Sequence, residues 1–113
     1  MNFPISKHED KRRVLIEWVK DFPFRSAKIV IAKSNLPMGK HYHRNKDELY
    51  YMLKGTMTYT LTTSEVITKD LLEGETLFIP RGVGHTFILY PDSILLGAQT
   101  EPFDQNDEIP IIE

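Results

Sequence analysis

An antiparallel all-β fold, either a sandwich or a closed barrel, is what this 113-residue sequence predicts. Three observations lead there. Short runs of β-branched, aromatic and aliphatic residues recur from Ser26 to Thr100. Gly, Pro, Asn and Asp interrupt them at Asn35–Gly39, Lys54–Gly55, Glu73–Gly74 and Pro80–Gly82. From Thr56 to Thr63, threonines at 56, 58, 60 and 62 alternate with Met57, Tyr59 and Leu61, the period of a half-buried strand.

The elements follow in order. Arg13–Val19 is ambiguous, because Val14, Ile16 and Trp18 alternate as in a strand while Val14 with Trp18 and Leu15 with Val19 would suit a helix; a strand is favoured. Strands are then expected over 27–34, 48–53, 56–63, 65–72, 76–79, 85–90 and 94–100, with the segment 35–39 rich in turn residues. The end of the chain, from 101 to 113, is an acidic tail that reads as surface strand or coil. No internal repeat, low-complexity tract or linker divides the chain, so residues 1–113 are expected to form one domain around one core.

Composition narrows the function. The formal net charge of −2 gives no electrostatic reason to expect nucleic acid or an anionic membrane as partner. No apolar run approaches the roughly 20 residues that span a bilayer, and the start of the chain lacks a secretory pattern, so a cytoplasmic location is expected. There is no cysteine, which excludes disulfides, thiolate ligands and a Cys nucleophile; any metal must be held by nitrogen and oxygen.

One cluster looks like a site. His41 and His43 are two apart, so on a strand both imidazoles enter one volume. A hairpin through the polar Arg44–Asp47 would bring Glu48 back beside them, and His85 follows the sharp turn at Pro80–Gly82. Three imidazoles and a carboxylate suit a divalent first-row ion (Fe, Mn, Ni, Zn or Cu) and leave open positions for substrate. His8, near the terminus, reads as solvated. Tyr50 shares a strand face with Glu48 and is a candidate catalytic residue. Arg81, in the turn before His85, is a second candidate, able to meet an anionic substrate at the barrel mouth. Met52 and Phe87 read as wall, and either Gln99 or Thr100 could reach the pocket.

These residues resemble the two motifs of the cupins. The first is a glycine, five residues, His-x-His, three or four residues, Glu, six residues and Gly; here His41-Tyr42-His43, Glu48 and Gly55 match it, with Asn35 in place of the first glycine. The second is Gly, five residues, Pro-x-Gly, two residues, His, three residues and Asn; here Gly74, Pro80-Arg81-Gly82 and His85 match, with Leu89 in place of the asparagine. Asparagine tolerates positive φ, so Asn35 is expected to make the same turn.

The resemblance spans residues 35–89 and implies a single-domain cupin of the RmlC-like kind, a double-stranded β-helix or jelly-roll barrel. It implies metal ligation by His41, His43, Glu48 and His85, and a homodimer built on the N-terminal strand carrying Trp18. Short stretches, among them the segment from His41 to Glu48 and Gln99–Asp104, resemble single-domain cupins of sugar metabolism. The activity this favours is a metal-dependent isomerase or epimerase acting on a small carbohydrate-like, oxygen-rich molecule. An Fe(II)-dependent dioxygenase and a non-catalytic module that binds a small ligand are the alternatives.

Overall fold

The computed structural model describes residues 3–111. Eleven strands are found among them, with every pairing antiparallel. They are β1 (Ser6–Glu9), β2 (Val14–Glu17), β3 (Ser26–Ile31), β4 (Met38–Tyr42), β5 (Glu48–Lys54), β6 (Thr56–Thr62), β7 (Val66–Leu72), β8 (Thr76–Ile79), β9 (Gly84–Leu89), β10 (Ile94–Gln99) and β11 (Ile109–Pro110). One sheet has the order β3-β10-β5-β8 and the other β11-β4-β9-β6-β7. Successive strands alternate between the sheets at β3–β4, β4–β5 and β5–β6, which is how a jelly roll closes two sheets over one core.

The core is what the alternation in sequence requires. Met57 is fully buried, while Thr58 and Thr60 on the opposite face hydrogen-bond to Asp70 and Thr68 of β7. Met52, Leu95 and Leu89 are also at 0% exposure, each contributing roughly 1.5–3 kcal/mol of apolar burial. Leu89 pairs with Met57 across β9 and β6 and so gives that position to the core. A second cluster of Phe22, Leu49 and Ala98 holds Trp18, which stacks on Tyr51 with ring centroids 6.1 Å apart. Trp18 is therefore packed within the chain.

Four details differ from the sequence-based expectations. β2 pairs with an unforeseen strand, β1, in a two-stranded ribbon separate from both sheets; Asp10 closes its turn by accepting hydrogen bonds from the Arg12 and Arg13 amides. Asn35 does not take a positive φ. That conformation falls on Gly39 (+88°) and Lys40 (+61°), where a β-bulge interrupts the β4–β9 register. A Cβ on Gly39 would lie 2.9 Å from the His85 carbonyl, so only glycine admits β9 this closely. Arg44–Asp47 is not a hairpin turn, because it carries the chain from one sheet to the other, and Glu48 faces the histidines across the barrel. Finally, the tail is not all surface. Asp104 caps a 3-10 turn at Gln105–Asp107, Asp107 is buried, and β11 adds a strand beside β4.

Candidate metal centre

Both sheets deliver ligands to one end of the barrel. His41 (β4) pairs directly with His85 (β9) on the five-stranded sheet. His43 lies just past the end of β4, where its carbonyl accepts from the Gly82 amide at 2.6 Å, so the turn between β8 and β9 is tied to the first histidine motif. The ligand-capable atoms of His41, His43 and His85 all lie within 4.8 Å of one another. Glu48 begins β5 on the opposite sheet, at 1% exposure; its Oε1 is 3.1 Å from His43 Nε2 and 3.5 Å from His85 Nε2.

Hydrogen bonds behind the rings fix which atoms face inward. His43 Nδ1 sits 2.8 Å from the Asp107 carbonyl and His85 Nδ1 is 3.3 Å from the Val83 carbonyl. A carbonyl can only accept, so both Nδ1 atoms carry hydrogen and present Nε2 to the interior. Glu48 Oε2 is held by the Tyr50 hydroxyl, which donates at 2.5 Å, leaving Oε1 without a well-formed hydrogen bond. Electron-rich atoms thus converge on one point. A single proton could bridge His43 and Glu48 but could not serve the other imidazoles as well. A cation bound at 2.0–2.2 Å would, and its neighbouring ligands would stand about 3–3.5 Å apart, as Glu48 Oε1 does from His43 and His85 Nε2. The donor set fits a divalent metal, with Asp107 and Tyr50 supporting the ligands from behind.

The electrostatics agree. Burial pushes the Glu48 carboxyl up, but His43, Tyr50, Lys28 and His85 outweigh it and hold its pKa well below the usual carboxylate range. Burial lowers His85 to about 4, with Glu48 opposing and His41 assisting. His41 is lowered by burial and then by His43. Both histidines are thereby kept in the neutral form a metal needs. Tyr50 is raised well above its ordinary value by burial and by the Glu48 charge, so it remains a donor.

Two cavities open on this cluster and share Lys28 and His41. One, about 110 Å³, runs inward past Tyr50, His85 and Phe87; the other, about 170 Å³, is bordered by His43, Lys46, Gln99 and Glu108. A larger groove of about 600 Å³ lies among Thr60, Thr62 and Thr86 on the other face of the five-stranded sheet and contains none of the clustered histidines.

Of the sequence candidates, Tyr50 is in the site and Arg81 is not. The Arg81 guanidinium is bound to Asp47 at 3.1 Å, its backbone amide to the same carboxylate at 2.9 Å, and it borders neither cavity. Gln99 reaches the pocket, whereas the Thr100 hydroxyl is engaged by the Asp47 amide. Sequence reasoning missed Lys28, Lys46 and Asp107. Lys28 had a signal: it is the only charge in the Ala27–Ala32 run and lies two residues from Ser26 and from Val30. In the sheet it shares a row with Gly97 and Tyr50, its ammonium 5.6 Å from the Tyr50 ring centroid and 3.7 Å from Glu48 Oε2. Lys46 and Asp107 had none, because their placement depends on how loops fold over the barrel end.

A jelly-roll barrel with an interior histidine cluster defines the class, and sequence comparison gives the family. Residues 29–92 match the cupin domain, and the chain belongs to that family. No curated protein sequence matches it significantly. Among solved structures, it resembles the sugar 3,4-ketoisomerase QdtA of Thermoanaerobacterium thermosaccharolyticum in complex with TDP (TM-score 0.84, 19% identity, 95% of this chain and 84% of that one). It is also similar to the TDP-quinovose 3,4-ketoisomerase WlaRB of Campylobacter jejuni (0.85, 18%, 96% and 92%). The RmlC epimerase of Mycobacterium tuberculosis is a third (0.81, 14%, 96% and 66%). At these identities the likeness is one of fold.

Proposed function

We propose that the protein is a metal-dependent isomerase or epimerase of a small carbonyl sugar. The observation that supports the metal is the convergence of imidazole Nε2 atoms on a Glu48 oxygen that lacks a well-formed hydrogen bond. The sugar reading draws on the fold shared with ketoisomerases and an epimerase. His41, His43, Glu48 and His85 would hold the ion, which would supply Lewis acidity toward a substrate carbonyl and its neighbouring hydroxyl.

The chain's own groups have separate tasks. Tyr50 acts as a positioning residue: by donating to Oε2 it aims Oε1 at the histidines. Phe87 and Leu95 line the inner cavity with apolar surface and limit water around the reacting carbons. Lys28 places a positive charge over the same cavity, where it would stabilise negative charge developing on a substrate carbonyl oxygen.

Elemental analysis of untagged protein, paired with H41A/H85A, tests the metal; about one equivalent lost in the variant is expected. Solvent deuterium entering the carbon next to a sugar carbonyl, in metal-loaded but not chelated protein, tests the chemistry. Metal binding without exchange on any carbonyl sugar would refute the isomerase reading and leave a ligand-binding module.

A further inference from the structure

Lys46 has no part in holding a metal, yet it is the most enclosed cation of the site. It lies in the connection from β4 to β5, is 5% exposed, and borders the 170 Å³ cavity together with His41, His43 and Gln99. Among the described residues its ammonium makes no ion pair and no hydrogen bond. Two arginines at this end of the molecule are matched, Arg25 with Glu101 and Arg81 with Asp47, and Arg44 is exposed to solvent. Its stem is packed away while the ammonium keeps an opening to solvent, so a positive charge without a protein counter-ion stands where a small anion can reach it.

A second group points the same way. Gln99 is 3% exposed and its Nε2 has no acceptor. It stands beside the Tyr50 ring but without the alignment of a hydrogen bond to its hydroxyl. Lys28 borders the same cavity. Two carboxylates are nearby. Glu48 is turned toward the histidines and Tyr50, and Glu108 acts on His41 without forming an ion pair with Lys46.

We propose that this cavity binds an oxyanionic group, a carboxylate or a phosphate, with Lys46 as its principal counter-charge, Gln99 as a neutral donor and Lys28 at the edge. The cavity adjoins His41 and His43 and is well below the roughly 300 Å³ at which pockets for drug-sized ligands begin. An anion bound there stands beside the histidines and so belongs to the reacting molecule. Resting on the sugar reading above, the substrate class becomes a sugar acid or a small sugar phosphate. Binding of the anion itself does not depend on that reading.

The test uses metal-free protein, so that anion binding is read apart from metal chemistry. D-glucuronate, D-glucose 6-phosphate and neutral D-glucose are titrated by calorimetry. At least one anion should bind about tenfold or more tightly than glucose, as a charge-assisted contact requires; which one it is separates carboxylate from phosphate. K46M should lose that advantage, and K69M, on the exposed β7, should keep it. In the wild-type protein the favoured anion should also shift the Gln99 side-chain amide resonance, a readout that needs no variant. Glucose binding as well as both anions, an unshifted Gln99 amide, or a folded K46M with wild-type affinity would each overturn the proposal. Tight anion binding in a protein that exchanges no C–H proton once metal is added would uphold the subsite while refuting the isomerase.

Discussion

Asp107 gives the sharpest test of how the site is supported. Its two carboxylate oxygens accept separately from the Arg44 amide (2.8 Å) and the Asn45 amide (3.1 Å), and its own carbonyl accepts from His43 Nδ1. Asp107→Asn keeps the shape but replaces one acceptor oxygen by an NH2 that must face an N–H. One hydrogen bond to a charged group is lost outright and the other loses its charge assistance, so a destabilisation of about 2–4 kcal/mol is expected. For a chain of this length that lowers the melting midpoint by roughly 10 °C. As the tail loosens, the carbonyl that orients His43 shifts with it, and metal affinity should fall about tenfold or more. Differential scanning calorimetry and competitive metal titration read the two effects. Asp107→Ala removes both acceptors and should be no more stable than Asp107→Asn. A D107N protein with a wild-type midpoint and wild-type metal affinity would refute the reasoning that the tail is structural support for the centre.

Other perturbations have equally definite outcomes. In metal-free protein, His85 titrates at about 4 when folded and near 6.5 when unfolded. The unfolded chain therefore binds the extra proton first, and stability is complete above pH 6.5 and falls by about 3 kcal/mol as pH drops toward 4. The lowered His41 adds in the same direction. Urea midpoints that stay flat from pH 7 to 4.5 would contradict this. Gly97→Ala would put a methyl 2.8 Å from Tyr50 Cε1 and 2.9 Å from Gln99 Nε2. It should cost about 1–3 kcal/mol by urea unfolding and weaken metal binding as Tyr50 is pushed off Glu48; a neutral outcome would mean the Tyr50 ring moves freely. Arg81→Met should leave metal affinity unchanged in a competition assay, since Arg81 is committed to Asp47 and borders neither cavity. We expect a homodimer whose contact includes the β1–β2 ribbon, with Val14 and Leu15 about half exposed. Light scattering of V14E/L15E should then show monomers, and an unchanged mass would exclude that contact.

How much of this was readable in the sequence depends on the range of the interaction that fixes each residue. His41, His43 and Glu48 are legible because strand periodicity acts within a few residues, and His85 because Gly74 and Gly82 bend the chain at fixed distances from it. The same local logic misread Arg44–Asp47 as a hairpin. A polar turn looks alike whether it reverses a strand within one sheet or hands it to another, and only closure of the barrel decides. Asn35 failed for a related reason: the bend moved to Gly39 and Lys40, where close approach of β9 demands it. Gln99 could be separated from Thr100 only once the β10–β5 register set Gln99 opposite Glu48. Lys46 and Asp107 lie furthest from any periodic signal, since a loop and a tail must both fold over the barrel end before either is buried. Local pattern thus specifies the groups that would hold a metal, whereas the groups that would support it and choose its substrate are placed by tertiary closure. Relatives that keep the histidine motif can therefore differ in what they bind, through exchanges at positions such as Lys46 that leave the motif intact.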